Sequence, residues 1–127
     1  MSVLPGFDQD EGMNWRSIRL ELARTRDFPE GSVGRAFLVR LPLSDSDVVD
    51  HSAVAAAPSR ATVQRHWSTE ADQRGQLLER GHDWAIRCDG KPDRLLQFNG
   101  NPIRIGAQVS VVEADGSVLP FNIARVR

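Results

Sequence analysis

Gly106-Ala107-Gln108-Val109-Ser110-Val111-Val112-Glu113-Ala114-Asp115-Gly116-Ser117-Val118-Leu119-Pro120-Phe121-Asn122-Ile123-Ala124-Arg125-Val126 is the most legible stretch of the chain. Val109 and Val111 share one parity before Asp115-Gly116, and Leu119, Phe121 and Ile123 share one after it. Strict alternation buries one face of an extended strand. An Asp-Gly pair supplies the positive φ that a tight reversal between two such strands needs. The block therefore reads as a hairpin with one apolar face closing onto a core.

Working backward, Asn99-Gly100-Asn101-Pro102 is a second strong reversal signal, and Ile103-Arg104-Ile105-Gly106 reads with the strand-forming block that follows it. Residues 94–98 form a further expected strand. Trp84, Ile86 and Cys88 share one parity between the turns Gly81-His82-Asp83 and Asp89-Gly90. Residues 76–80 supply a partner strand. Ala61, Val63, Arg65 and Trp67 alternate with Thr62, Gln64 and His66.

Toward the N-terminus, Phe37, Val39 and Leu41 form an apolar face that Pro42 ends. Ile18, Leu20 and Leu22 alternate with Arg19, Glu21 and Ala23. Residues 43–59 are the least regular. There Val48-Val49 is a short pairing segment, and Ser52 is positioned to cap a brief helix through 53–57 that Pro58 stops.

These segments predict an all-β fold: one small β-barrel or strongly curled antiparallel sheet of about six to eight short strands. At most one short helix, near 52–57, interrupts it. Residues 1–14 read as an irregular acidic lead and 15–127 as a single β domain. A length of 127 residues fits one domain.

Sixteen basic and seventeen acidic residues leave a formal charge of −1. No net positive field gathers nucleic acid or anionic lipid. With no Tyr and one Lys, single-stranded nucleic-acid binding ranks third among the readings. Cys88 stands alone, so no internal disulfide is expected. The first residues lack the basic and apolar regions of a signal peptide. Apolar runs fall short of the roughly 18 residues a membrane helix needs. A cytoplasmic address without membrane contact is the resulting expectation.

Motif chemistry is sparse. No glycine-rich phosphate loop and no Gly-x-Ser-x-Gly elbow occurs. His82 and Cys88 are separated by five residues, which is no recognisable ligand spacing, and Asp45, Asp47 and Asp50 read as a solvated turn. No metal and no cofactor is expected. The strongest candidate for recognition lies between 60 and 67. Arg65 interrupts an apolar face beside Trp67, His66 occupies the other face, and Arg60 precedes them. Arginine offers a planar fork for oxyanions and tryptophan a flat surface. The leading expectation is a non-catalytic binding module for a protein surface or a small anionic ligand. Arg65 and Trp67 would carry it, with polar groups from 43–52 or 68–75 at the rim. The alternative is a small enzyme with a loop-built site using His51 with Asp50, or His82 with Asp83. A homodimer is compatible with the need to protect sheet edges.

Overall fold

Alternating side chains build eight strands: β1 (Trp15–Leu22), β2 (Ser32–Pro42), β3 (Thr62–Trp67), β4 (Gln73–Arg80), β5 (Asp83–Cys88), β6 (Arg94–Gln97), β7 (Gln108–Val112) and β8 (Val118–Val126). The computed structural model describes residues 14–127, so all but the last residue of the expected acidic lead lies outside the described residues. Each strand pairs antiparallel with the next, and β8 returns to β1, giving a closed up-and-down barrel. Closure removes the open edges that a homodimer would protect, because both flanks of every strand have a neighbour.

An eight-stranded barrel is just wide enough for its inward side chains to fill it. Here Ile18 and Leu20 of β1, Phe37 and Val39 of β2, Ile86 of β5, Leu96 of β6, Val111 of β7, and Phe121 and Ile123 of β8 are all fully buried. Phe37 and Phe121 meet edge-to-face at 5.2 Å, a geometry that the ring quadrupoles favour. Outward positions carry Arg19, Arg40, Arg74 and Arg87, whereas a lipid-facing strand would present apolar groups there. Among the described residues no helix is long and apolar enough to cross a membrane.

Register shifts in β1, at Glu21/Leu22 against β2 and Arg19/Leu20 against β8, bend the strand where the barrel closes. Ser17 and Arg127 exchange two backbone hydrogen bonds of 2.8 and 2.9 Å at the seam. The alternation of strand direction gives the barrel two mouths. One is bounded by the connections 23–31, 68–72, 89–93 and 113–117, here called the upper mouth. The lower mouth carries the longer connections 43–61 and 98–107. Leu43, Val49, Val54, Phe98 and Ile103 from those connections join the core.

The lower mouth differs from expectation in two places. The short helix, α1, spans His51–Ala56, and its N-cap is Asp50. Ser52 had been expected to cap it; instead its hydroxyl donates to Asp50 Oδ1 at 2.8 Å, while the same oxygen accepts from Ala53 N–H at 3.1 Å. A carboxylate two residues earlier reaches the orphan amides better than the serine can. The second correction concerns 103–106, which forms no strand. Ile103 N–H donates to the Asp47 carbonyl at 2.7 Å, so this segment is tied across the mouth to the 43–50 loop. Ile103 is buried, whereas Ile105 is 67% exposed. The expected pairing at Val48-Val49 is present as a bridge between Leu43 and Val49.

Replacing the cap gives a direct measurement. Asp50→Ala is expected to lose about 1 kcal/mol of stability in urea denaturation near neutral pH. Hydrogen bonds from the Ser52 hydroxyl, and then from Ala53 N–H, hold the Asp50 carboxyl below its ordinary value. A depressed folded value means the stabilisation is complete above the unfolded carboxyl value of about 4. It fades as pH falls through the folded value. The wild-type and Asp50→Ala curves should therefore converge in acid, and a gap that persists there would contradict the cap.

Candidate functional site

Arg65 and Trp67 do point the same way, into the upper mouth. Their side chains stack, with the Arg65 guanidinium carbon 4.0 Å from the Trp67 ring centre. Trp67 in turn leans on Phe37 at 6.2 Å and Phe121 at 6.4 Å. Arg35, opposite Trp67 on β2, lies 5.9 Å from that ring and 4.2 Å from Phe28. The upper mouth is thus closed by a ladder of alternating aromatic rings and guanidinium planes. Each cation–π contact of this kind contributes roughly 0.5–2 kcal/mol, more as water is excluded.

Arg65 is only 6% exposed, and it is the sole charged residue in the core of the described chain. A buried charge costs several kcal/mol unless it is paired. The pair is supplied by Glu70, whose Oε1 accepts from Arg65 Nη1 at 3.1 Å. Arg65 Nε and, on the facing strand residue, Gln73 Oε1 are buried without a hydrogen-bond partner among the described residues. Arg94 and Glu113 add a second half-buried pair at 2.9 Å. The Cys88 thiol is pushed up by burial, against the pull of Arg94 and Arg65, so it stays protonated and behaves as a small apolar group. The mouth as it stands is a packed polar seal.

The other sequence candidates are dispersed. Arg60 lies at the lower mouth with its guanidinium 4.6 Å from the Trp15 ring. The 43–52 loop is at the lower mouth too, so it cannot form a rim around Arg65; the 68–72 connection can, and supplies Glu70. Asp50 is consumed as the helix cap, and His51 stacks on Trp84 at 5.2 Å and pairs with Glu79 at 3.4 Å. His82 is exposed in the β4–β5 turn, while Asp83 accepts from Asn99 N–H at 3.2 Å. Neither His/Asp pair forms a mutual hydrogen bond, so the geometry gives neither imidazole an orienting carboxylate of the expected kind. Among the described residues no three His, Cys, Asp or Glu side chains converge as a metal set.

His66 faces outward and leads to a site that reading the sequence alone missed. Its Nδ1 meets Asp72 Oδ1 at 2.8 Å, and Gln64 Nε2 donates to the other Asp72 oxygen at 2.8 Å. These bonds, His66 first, hold the Asp72 carboxyl below its ordinary value. Arg19, Ala36, Leu38, Gln64 and His66 line a shallow concavity of about 220 Å³ on the barrel exterior. It shares Leu38 and Gln64 with a larger groove of about 720 Å³ that crosses β2, β3 and β4.

The larger groove is built from outward positions. Short Ser17 and Thr62, with the backbone at Val39, Val63 and Gly75, leave a depression that Leu38 and Leu78 line with apolar surface. Three arginines, Arg40, Arg74 and Arg87, face one carboxylate, Asp89. Arg87 is held by Asp93 through two bonds of 2.9 and 3.1 Å, and Arg40 donates to Ser17 Oγ at 3.2 Å. Arg74 has no hydrogen-bond or ion-pair partner among the described residues. The groove combines fixed cations with apolar walls and has a volume typical of ligand sites.

No family model matches the chain, and neither the curated proteins nor the solved structures contain a significant match to it.

Proposed function

We propose that this chain is a non-catalytic binding module that takes an anionic ligand or acidic protein surface on the outside of its barrel. The observation that supports this reading is the exterior groove, in which Arg40 and Arg74, with Arg87 neutralised by Asp93, face Asp89 around Leu38 and Leu78. Arg74 is the primary anion contact, because it is exposed and uncommitted. Arg40, preset by Ser17, adds a second cation beside it, while Arg87 is already engaged by Asp93. The leucines give the ligand's apolar portion a place out of water. Arg65 and Trp67 keep a supporting role as the seal of the upper mouth.

Single-stranded nucleic acid is less well served. Such strands bind by stacking bases on aromatic platforms, and no aromatic residue lines the groove. Trp15 and Trp84 are buried inside.

The reading is tested by titrating the protein with a short acidic peptide of alternating Glu and Leu and, separately, with inorganic phosphate. Arg74→Glu should weaken peptide binding by roughly ten-fold, corresponding to about 1.4 kcal/mol, and Arg40→Glu should add to that loss. Affinity should fall with added salt, since exposed charges are screened over about 10 Å at 0.1 M. Unchanged affinity in the doubly reversed protein, or affinity indifferent to salt, would discard the groove as the binding face.

A further inference from the structure

We propose that the buried Arg65 guanidinium in the upper mouth is a second, internal oxyanion site that the protein's own Glu70 occupies. A small carboxylate or phosphate takes the site by displacing that side chain. The site is independent of the exterior groove and opens on the opposite side of the β3 backbone.

The two partners are unequally buried. Arg65 is 6% exposed, whereas the Glu70 side chain is 49% exposed and sits on the 68–72 connection. Glu70 is anchored there only by its backbone, through a 2.8 Å bond from its N–H to the Trp67 carbonyl. Rotation of its side chain into water costs little ordering and breaks one hydrogen bond. Arg65 has no such freedom, because β3 and the Trp67 ring fix it. Exposed carboxylates gain little from a single ion pair, while the buried guanidinium requires an anion.

The pairing is also incomplete. Glu70 meets Nη1 alone, and among the described residues Nε has no acceptor. An oxyanion bridging Nη1 and Nη2, of which Glu70 uses only Nη1, would form two parallel charge-assisted bonds in place of one. The surroundings favour that exchange. Arg35, Arg65 and Arg94 face Glu70 and Glu113 at this mouth. Displacing Glu70 leaves Arg65 without its carboxylate partner, while Glu113 stays on Arg94. Trp67, half-buried at the rim, offers its ring to a planar substituent on the incoming acid.

The experiment uses the full chain, wild type and Glu70→Ala, titrated with inorganic phosphate and with acetate against chloride at equal ionic strength. Thermal melting and the NMR signal of the Arg65 Nε–H are followed. Glu70→Ala should bind the better anion roughly ten-fold more tightly than wild type, melt several degrees higher in it than in chloride, and shift the Nε–H resonance. A response to either anion supports the site, and the stronger one names the ligand class. Equal responses in wild type and Glu70→Ala, or a Nε–H signal that does not move, would overturn the proposal. Adding Arg74→Glu should leave the effect intact. Its loss in that background would assign the anion to the exterior groove and likewise overturn it. Arg65→Met should abolish the response; if that protein does not fold, the Glu70 and Arg74 comparison still decides.

Discussion

Gly75→Ala is expected to lower stability by about 3 kcal/mol or more, the range of severe overpacking. A Cβ at this position would lie 2.0 Å from the Arg87 carbonyl oxygen, 2.7 Å from its carbon and 3.0 Å from the Cys88 Cα. All three are backbone atoms of the paired strand β5, so no side chain can swing aside. Gly75 faces Cys88 in the β4–β5 ladder, and relief would require the two strands to separate in the middle of a closed barrel. A domain of this size loses on the order of 10 °C in melting temperature for such a change. Gly81→Ala is the control. Among the described residues nothing lies within 4 Å of a Cβ there, and its φ of +65° is what resists substitution, at about 1 kcal/mol. Urea denaturation of the two variants checks the ranking. Gly75→Ala with a loss no larger than that of Gly81→Ala would mean that the β4–β5 approach is looser than described.

Trp84→Ala should be comparably damaging, at about 4 kcal/mol, a large share of the roughly 5–15 kcal/mol that holds a small domain together. Trp84 is fully buried, and its ring lies flat against His51 of α1 at an interplanar angle of 16°. Truncation would remove both core volume and the surface on which the helix rests. Trp84→Phe should be far milder, because Nε1 has no acceptor among the described residues and its removal strands no partner. Trp67→Ala should fall between them, since that ring is only half-buried. Equilibrium denaturation orders the three. A Trp84→Ala loss no greater than that of Trp84→Phe would show that the ring is not a keystone of the lower mouth.

Much of the barrel was legible because its strands alternate cleanly. Ile18/Leu20/Leu22, Phe37/Val39/Leu41, Trp84/Ile86/Cys88 and Phe121/Ile123 each announce one buried face, and Asp115-Gly116 announces its turn. Periodicity is a local signal, and it failed where structure depends on distant partners. Ile103 resembles a strand residue until its N–H is found on the Asp47 carbonyl, 56 positions away. Asp50 and Ser52 are both good helix caps, and only the observed geometry chooses between them.

The candidate site shows the same division. The shared inward parity of Arg65 and Trp67 was readable, but the depth of Arg65 was not, because it depends on Glu70 and the ring above. His66 was placed correctly on the outward parity, without the Asp72 contact that orients it. Arg40, Arg74 and Arg87 sit on three different strands. Their convergence follows from which strands are neighbours and from the register between them, and neither is encoded in any one strand's pattern.

The seam between β1 and β8 sets a condition on how the protein is made. The strand begun at Trp15 must wait for the segment ending at Val126 before its second flank is satisfied. During synthesis, a nascent chain on the ribosome carries an open sheet with an unsatisfied flank until β8 has emerged. Pairings this distant in sequence form slowly, and exposed flanks invite wrong partners in the interval. Stalled or truncated products lacking β8 are thus the species most prone to aggregate, and the interval before β8 docks on β1 is when a chaperone would matter most.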